Sequence, residues 1–219
     1  MHKQPQRTLT ALMVGAFLAA PVAQAQTGAQ PATAPTLRAN EAVARQLSRA
    51  DRKDFEEATR GLAPTLPDPV VKDARGKVVW DARRYDFIQG AAPATVNPSL
   101  WRQEKLNNAA GLFKVADGIY QIRGYDVANM TLVEGRTGWI VIDTLLTAEV
   151  AKATLHFAME KLGSTKPVVA VIYTHSHADH YGGVRGVVDG ADVHAGKVKV
   201  VAPGGFMGNA LAENVLAGN

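Results

Sequence analysis

Residues 167–173 (PVVAVIY) form an unbroken apolar run, four of them Val or Ile, and run directly into 174–183 (THSHADHYGG). A run of this length and β-branched content reads as a strand buried on both faces, as in the parallel part of a helix-covered sheet. Strands usually end in turn formers. This one ends in three imidazoles and a carboxylate, and three of the six histidines of the chain fall within six residues. The chain must therefore bury a parallel strand and also deliver a cluster of nitrogen and oxygen donors to the strand's C-terminal end.

His175 and His177 are two residues apart, so on extended chain they point the same way. Asp179 and His180 follow where the chain must turn. Such a loop can aim the His pair at one cation and the Asp–His pair at a second, a few ångströms away. There is no cysteine, which excludes a disulfide framework, a thiolate metal site and a cysteine nucleophile. Nitrogen and oxygen donors without sulfur suit zinc, manganese or iron. Two close cations at a strand's C-terminal end point to hydrolysis by a metal-activated water. Gly182 and Gly183 let a following helix start close to the metals. The other histidines carry no such pattern: His2 lies in the leader, His156 on an exposed helix face, and His194 in a loop or strand edge. Asp143 ends the strand WIVID and reads either as a strand-end turn residue or as an acceptor that orients a metal-bound His or Asp. Arg185 reads as an exposed helix residue rather than an anion ligand.

Around this centre the patterning is that of a layered α+β sandwich. Residues 112–123 alternate about Asp117-Gly118, a hairpin signal. Residues 129–143 repeat the arrangement about a turn at 134–138. Over 148–162, Ala148, Ala151, Leu155, Ala158, Met159 and Leu162 share one helical face, and Gly163 closes the helix. This helix should cross over between strands 138–143 and 167–173 in the right-handed sense. Further upstream, 41–60 reads as a helix stopped by Gly61, 70–80 as two short strands about Arg75-Gly76, and 99–110 as a helix capped by Ser99.

Hydrophobic residues make up 47% of the chain and charged residues 20%, as in folded proteins. The net charge of +4 is not gathered into a basic block, which argues against a nucleic-acid partner. Residues 1–25 have the layout of a secretory signal peptide: Lys3 and Arg7 without an acid, an apolar run over 8–23, and Ala23-Gln24-Ala25 as the cleavage pattern. The apolar run is interrupted by Thr8, Thr10 and Pro21 and is shorter than the about 20 residues of a membrane span, so no stable anchor is expected. Residues 26–39 read as a flexible linker, and 40–219 as the folded part. The expected location is periplasmic or secreted.

The H-x-H-x-D-H loop at 175–180, with a preceding strand ending in Asp143, resembles the metallo-β-lactamase superfamily. Residues 96–106 (VNPSLWRQEKL), 111–144 (GLFKVADGIYQIRGYDVANMTLVEGRTGWIVIDT) and 167–186 (PVVAVIYTHSHADHYGGVRG) resemble its alkyl sulfatase branch, as do 51–61 and 203–219. The loop alone carries only the superfamily; the longer strings are more specific. The resemblance implies a metallo-β-lactamase-like αβ/βα sandwich, present here as an incomplete N-terminal part. It implies a binuclear zinc hydrolase that releases sulfate and a fatty alcohol from dodecyl sulfate-like detergents. By position, His175 and His177 would ligate the first zinc, Asp179 and His180 the second, and Asp179 would also handle a proton as the catalytic residue. Asp143 would stand behind them. The family further implies a homodimer, formed through a domain outside these residues.

Two departures stand out. Thr144 occupies the position after Asp143 where Pro is expected. The 39 residues after His180 contain one histidine, His194, and few acids, whereas the family's remaining ligands lie well beyond its loop. The chain therefore reads as the N-terminal part of a longer sulfatase, inactive alone. Competing expectations are another hydrolase of the superfamily (lactonase, thioesterase, β-lactamase or phosphodiesterase) and a non-catalytic metal-binding remnant.

Overall fold

A computed structural model describes residues 30–47, 51–63, 65–66 and 68–216. The proposed signal peptide lies outside the described residues. The described residues from 32 onward belong to one compact unit. In chain order its elements are helices α1 (Ala34–Gln46) and α2 (Lys53–Ala58), strands β1 (Val70–Lys72) and β2 (Val78–Asp81), helix α3 (Pro98–Asn107), strands β3 (Gly111–Ala116), β4 (Ile119–Arg123), β5 (Met130–Glu134) and β6 (Trp139–Ile142). Helix α4 (Ala148–Lys161), strand β7 (Val168–Ile172), helices α5 (Ala178–Tyr181), α6 (Val184–Val187) and α7 (Gly190–His194), strand β8 (Lys199–Val201) and helix α8 (Phe206–Leu211) follow, with a π-helical turn at Ala212–Leu216. Among the described residues no helix is long and apolar enough to cross a membrane.

β3 to β8 form one six-stranded sheet in sequence order. β3 to β6 pair antiparallel as a meander, and β6, β7 and β8 run parallel. A parallel neighbour requires a crossover, and α4 supplies it between β6 and β7, as its periodicity predicts. Thr147 caps α4 by accepting Val150 N–H, and Gly163, at φ 59°, ends it. Val150, Ala151, Leu155, Phe157 and Ala158 of α4 pack with Leu112, Ile122, Met130, Leu132, Trp139, Val141 and Val171 of the sheet. Each fully buried side chain of this size contributes about 1.5–3 kcal/mol. The β1–β2 hairpin leans on α4, and Val71 joins the same core.

Several expectations need correction. β7 is not buried on both faces: Val171 is covered by the α4 layer, while Ala170 and Ile172 on the opposite face are half-buried, as are Ile140 and Ile142 beside them. A continuous apolar run does not distinguish a face that is covered from one that is covered only in part. The stretch expected as one helix over 41–60 is two: α1 begins at Ala34, inside the stretch assigned to the linker, because Thr33 caps it and Pro35 suits its first turn. α3 is capped by Asn97, not Ser99; the Asn97 side chain accepts Ser99 N–H at 2.9 Å and Pro98 opens the helix. His194 ends the short helix α7 rather than sitting in a loop, because Asp189 accepts Ala191 N–H at 2.8 Å and caps it.

Candidate metal centre

β6 and β7 lie side by side and parallel, so their C-terminal ends open on the same edge of the sheet. β6 delivers Asp143 and β7 delivers the histidine loop. In α/β sheets ligand sites form at such ends. Asp143 is buried and takes a left-handed backbone conformation at φ 59°. Its N–H donates to Ile172 carbonyl at 2.9 Å. Its carboxylate gathers three donors from the loop: Thr174 N–H to Oδ1 at 2.8 Å, Thr174 hydroxyl to Oδ2 at 2.8 Å, and His180 Nδ1 to Oδ2 at 2.7 Å.

These bonds assign the imidazole tautomers. The carboxylate only accepts, so His180 Nδ1 carries hydrogen and Nε2 is left with its lone pair. Thr174 spends its single hydroxyl hydrogen on Asp143, so at the 2.9 Å contact between Thr174 Oγ1 and His175 Nδ1 the imidazole is the donor. His175 therefore also presents Nε2. The rings are neighbours: His175 lies 4.0 Å from His180 and 4.6 Å from His177 between centroids. Asp179 Oδ2 sits 3.4 Å from His180 Nε2. With Nδ1 already the donor, these two atoms face one another as lone-pair carriers, an arrangement that only a cation or an added proton between them makes favourable.

The donor set thus fits a divalent cation in kind: three imidazoles and a carboxylate on one loop, two of the imidazoles held in the ligating tautomer by hydrogen bonds behind them. Among the described residues no three His, Asp or Glu groups converge as a metal-holding set. The four residues singled out from the sequence are brought together on one edge, but the loop does not close a coordination cage.

Two glycines explain how the loop reaches this place. A Cβ on Gly183 would stand 2.0 Å from Thr144 carbonyl oxygen, and one on Gly182 would stand 2.3 Å from that of Leu146. Their absence lets α5 and α6 press against the turn that follows β6, and Gly183 N–H donates to Leu145 carbonyl at 2.8 Å. Thr144, where Pro was expected, uses its N–H to bond His180 carbonyl at 2.8 Å. A proline could not make that bond. The Thr144 hydroxyl is buried and has no hydrogen-bond partner among the described residues.

Sequence reasoning missed two carboxylates. Glu213, in the π-helical turn, accepts Ser176 hydroxyl at 3.2 Å and stands 3.4 Å from His177 Nε2. Phe206 stacks on Tyr173 at 5.3 Å and meets Tyr181 edge-on at 5.2 Å, while Asn214 donates to Tyr181 hydroxyl at 3.0 Å. The segment from Phe206 to Asn214 therefore packs onto the histidine loop. Asp126, between β4 and β5, accepts Leu146 N–H at 3.0 Å and Val127 N–H at 2.6 Å. Burial pushes the Asp126 carboxyl above its ordinary range, backbone N–H groups oppose the shift, and the nearby Asp179 charge adds to it. Neither acid sits in a local motif, so only the three-dimensional contact reveals it. Arg185 is exposed, and His156 is exposed on α4, both as expected.

The family model of the metallo-beta-lactamase superfamily matches residues 123–210, the stretch that holds Asp143 and the histidine–aspartate loop. That superfamily implies a metal cofactor. The chain is also similar to alkylsulfatases. It is 51% identical over 215 residues to an (R)-specific secondary-alkylsulfatase of Pseudomonas sp., covering 97% of this chain and 32% of that protein. It is 54% identical over 192 residues to a linear primary-alkylsulfatase of Pseudomonas sp., covering 87% and 28%. With an alkyl/aryl-sulfatase of Saccharomyces cerevisiae it shares 49% identity over 208 residues, covering 94% and 32%. The solved structure of a stereoselective inverting sec-alkylsulfatase from Pseudomonas sp. superimposes with a TM-score of 0.79 at 53% identity, covering 86% of this chain and 30% of that one. The chain thus spans about a third of the length of the curated relatives it matches, and the resemblance is to their N-terminal portion.

Proposed function

We propose that this chain is the N-terminal part of a metal-dependent sulfuric ester hydrolase that cleaves small alkyl sulfates, of the dodecyl sulfate type, to alcohol and sulfate. The observation that carries the reading is the pair of imidazoles, His175 and His180, whose Nδ1 hydrogens are committed to Thr174 and Asp143 so that both offer Nε2. Homology to alkylsulfatases at about half identity supplies the substrate class. Two zinc ions are the proposed cofactor, with His175 and His177 donating to one and Asp179 and His180 to the other. When bound, the ions supply a nucleophile at neutral pH and offset charge on the sulfate oxygens. Asp143 holds His180 in place and fixes its tautomer. Asp179, beside His180 Nε2 and only partly exposed, is the proposed proton acceptor. Four donors shared between two ions fill part of each shell, so turnover is assigned to the complete protein, acting in the periplasm or outside the cell, with a small molecule as its partner.

The test is sulfate release from dodecyl sulfate by the complete protein, before and after chelation, with zinc measured by elemental analysis. The expected result is about two zinc ions per chain and loss of sulfate release on chelation. Hydrolysis of lactones, lactams, thioesters or phosphodiesters without sulfate release would overturn the substrate class. Sulfate release that survives complete metal removal would overturn the cofactor.

A further inference from the structure

We infer that Asp126 is a positioning residue for the metal loop: its carboxylate anchors Leu146 N–H and so fixes the left-handed turn from which Asp143 orients His180. The inference rests on the metal centre proposed above. The turn Asp143–Leu146 contains two non-glycine residues in the left-handed region, Asp143 at φ 59° and Leu145 at φ 63°. That conformation is strained for a leucine above all, and such strain persists only where the surroundings over-determine the backbone.

Most of what restrains the turn comes from the side it is meant to position. Asp143 N–H bonds Ile172 carbonyl at the end of β7, Thr144 N–H bonds His180 carbonyl, and Leu145 carbonyl accepts Gly183 N–H. A turn tied only to the loop would move with the loop. Asp126 ties it to the antiparallel half of the sheet. It belongs to the connection between β4 and β5, and it reaches Leu146, 20 residues on, with Oδ2 at 3.0 Å. Oδ1 accepts Val127 N–H at 2.6 Å, so the aspartate is itself held by its own connection. The chain of bonds is continuous: Asp126 to Leu146, through the turn to Asp143, and from Asp143 to Thr174 and His180. Burial of an acid here is costly, and a carboxylate spent on two backbone donors, one to each oxygen, is the arrangement that makes it tolerable.

The experiment compares the complete protein with its Asp126→Ala and Asp126→Asn variants, and with Asp117→Ala on the exposed β3–β4 turn as control. Zinc affinity is read by chelator competition, coordination by the visible spectrum of the cobalt(II)-loaded protein, and fold integrity by thermal unfolding of the metal-free form. Asp126→Ala should weaken zinc binding about tenfold or more and change the cobalt spectrum at temperatures well below unfolding, as loss of outer contacts to ligands does. Asp126→Asn retains one acceptor oxygen and should recover part of the affinity. Asp117→Ala should match the unsubstituted protein. Unchanged zinc affinity and an unchanged cobalt spectrum, with only a lower unfolding temperature, would overturn the inference and leave Asp126 a purely structural acid. If Asp126→Ala does not fold, Asp126→Asn decides by the same two readouts. A complete protein that binds no zinc before any substitution would instead overturn the metal centre itself.

Discussion

Asp143 and His180 are joined twice, by the 2.7 Å contact between Oδ2 and Nδ1 and, one residue on, by Thr144 N–H to His180 carbonyl at 2.8 Å. Side chain and backbone thus locate the same imidazole from the same strand end. Asp143→Ala removes the acceptor of His180 and both Thr174 donors. It should cost about 2–3 kcal/mol of stability and weaken metal binding about 10–100-fold. Thermal unfolding and chelator competition measure the two effects separately. Loss of stability with full metal affinity would contradict the arrangement.

Gly183→Ala places a methyl group 2.0 Å from Thr144 carbonyl oxygen and 2.8 Å from Ala151 Cβ. Backbone must shift to admit it, so a loss of about 1–3 kcal/mol is expected. Gly190→Ala, with nothing within 4 Å of the added carbon, should stay within about 0.5 kcal/mol of the unsubstituted protein. Chemical denaturation of the pair checks the claim: equal effects at the two positions would show that the close approach is not tight.

Thr144→Val keeps the shape of the side chain and deletes a buried hydroxyl that has no partner among the described residues. A buried unpaired hydroxyl costs about 1–3 kcal/mol, so the variant should be more stable by about 1 kcal/mol, with Thr144 N–H still bonded to His180. A less stable variant would reveal a partner for the hydroxyl.

Asp126 is a carboxyl raised by burial. Its contribution to stability is fully present below its ordinary value of 3.8 and is lost as pH rises through the higher folded value. The stability of the metal-free protein relative to Asp126→Asn should therefore fall with rising pH across that window and then level off. A flat difference would mean that Asp126 titrates alike in the folded and unfolded chain.

Export predicts that the leader is removed after Ala25, so that the secreted protein begins at Gln26. N-terminal sequencing of protein recovered outside the cytoplasm checks this, and a chain that still begins at Met1 would rule the leader out.

The parts of the fold that sequence made legible are those with local periodicity. α4 declares itself through Ala151, Leu155 and Ala158 on one face, and β5 and β6 through apolar runs about a turn. The loop's donors are legible because His175 to His180 are neighbours in the chain. What sequence concealed is tertiary. Val171 and Ile172 look alike as letters, yet they face different sides of a sheet covered by α4 on one. Asn97 and Ser99 are both good caps, and the following Pro98 decides between them. Thr174 carries no signal in the sequence, and only its hydroxyl's place between His175 and Asp143 marks it out. Asp126 and Glu213 lie 49 residues before and 38 after His175 in the chain, with no spacing rule to connect them.

The meander has a practical consequence. Antiparallel pairing places the β3–β4 turn at Asp117-Gly118 and the β5–β6 turn at 135–138 on the sheet edge opposite the strand ends that carry Asp143 and the histidines. A peptide tag or a surface-coupling handle introduced at Asp117 would thus immobilise the protein with the edge that bears the histidine loop turned outward, toward the solution, and left untouched.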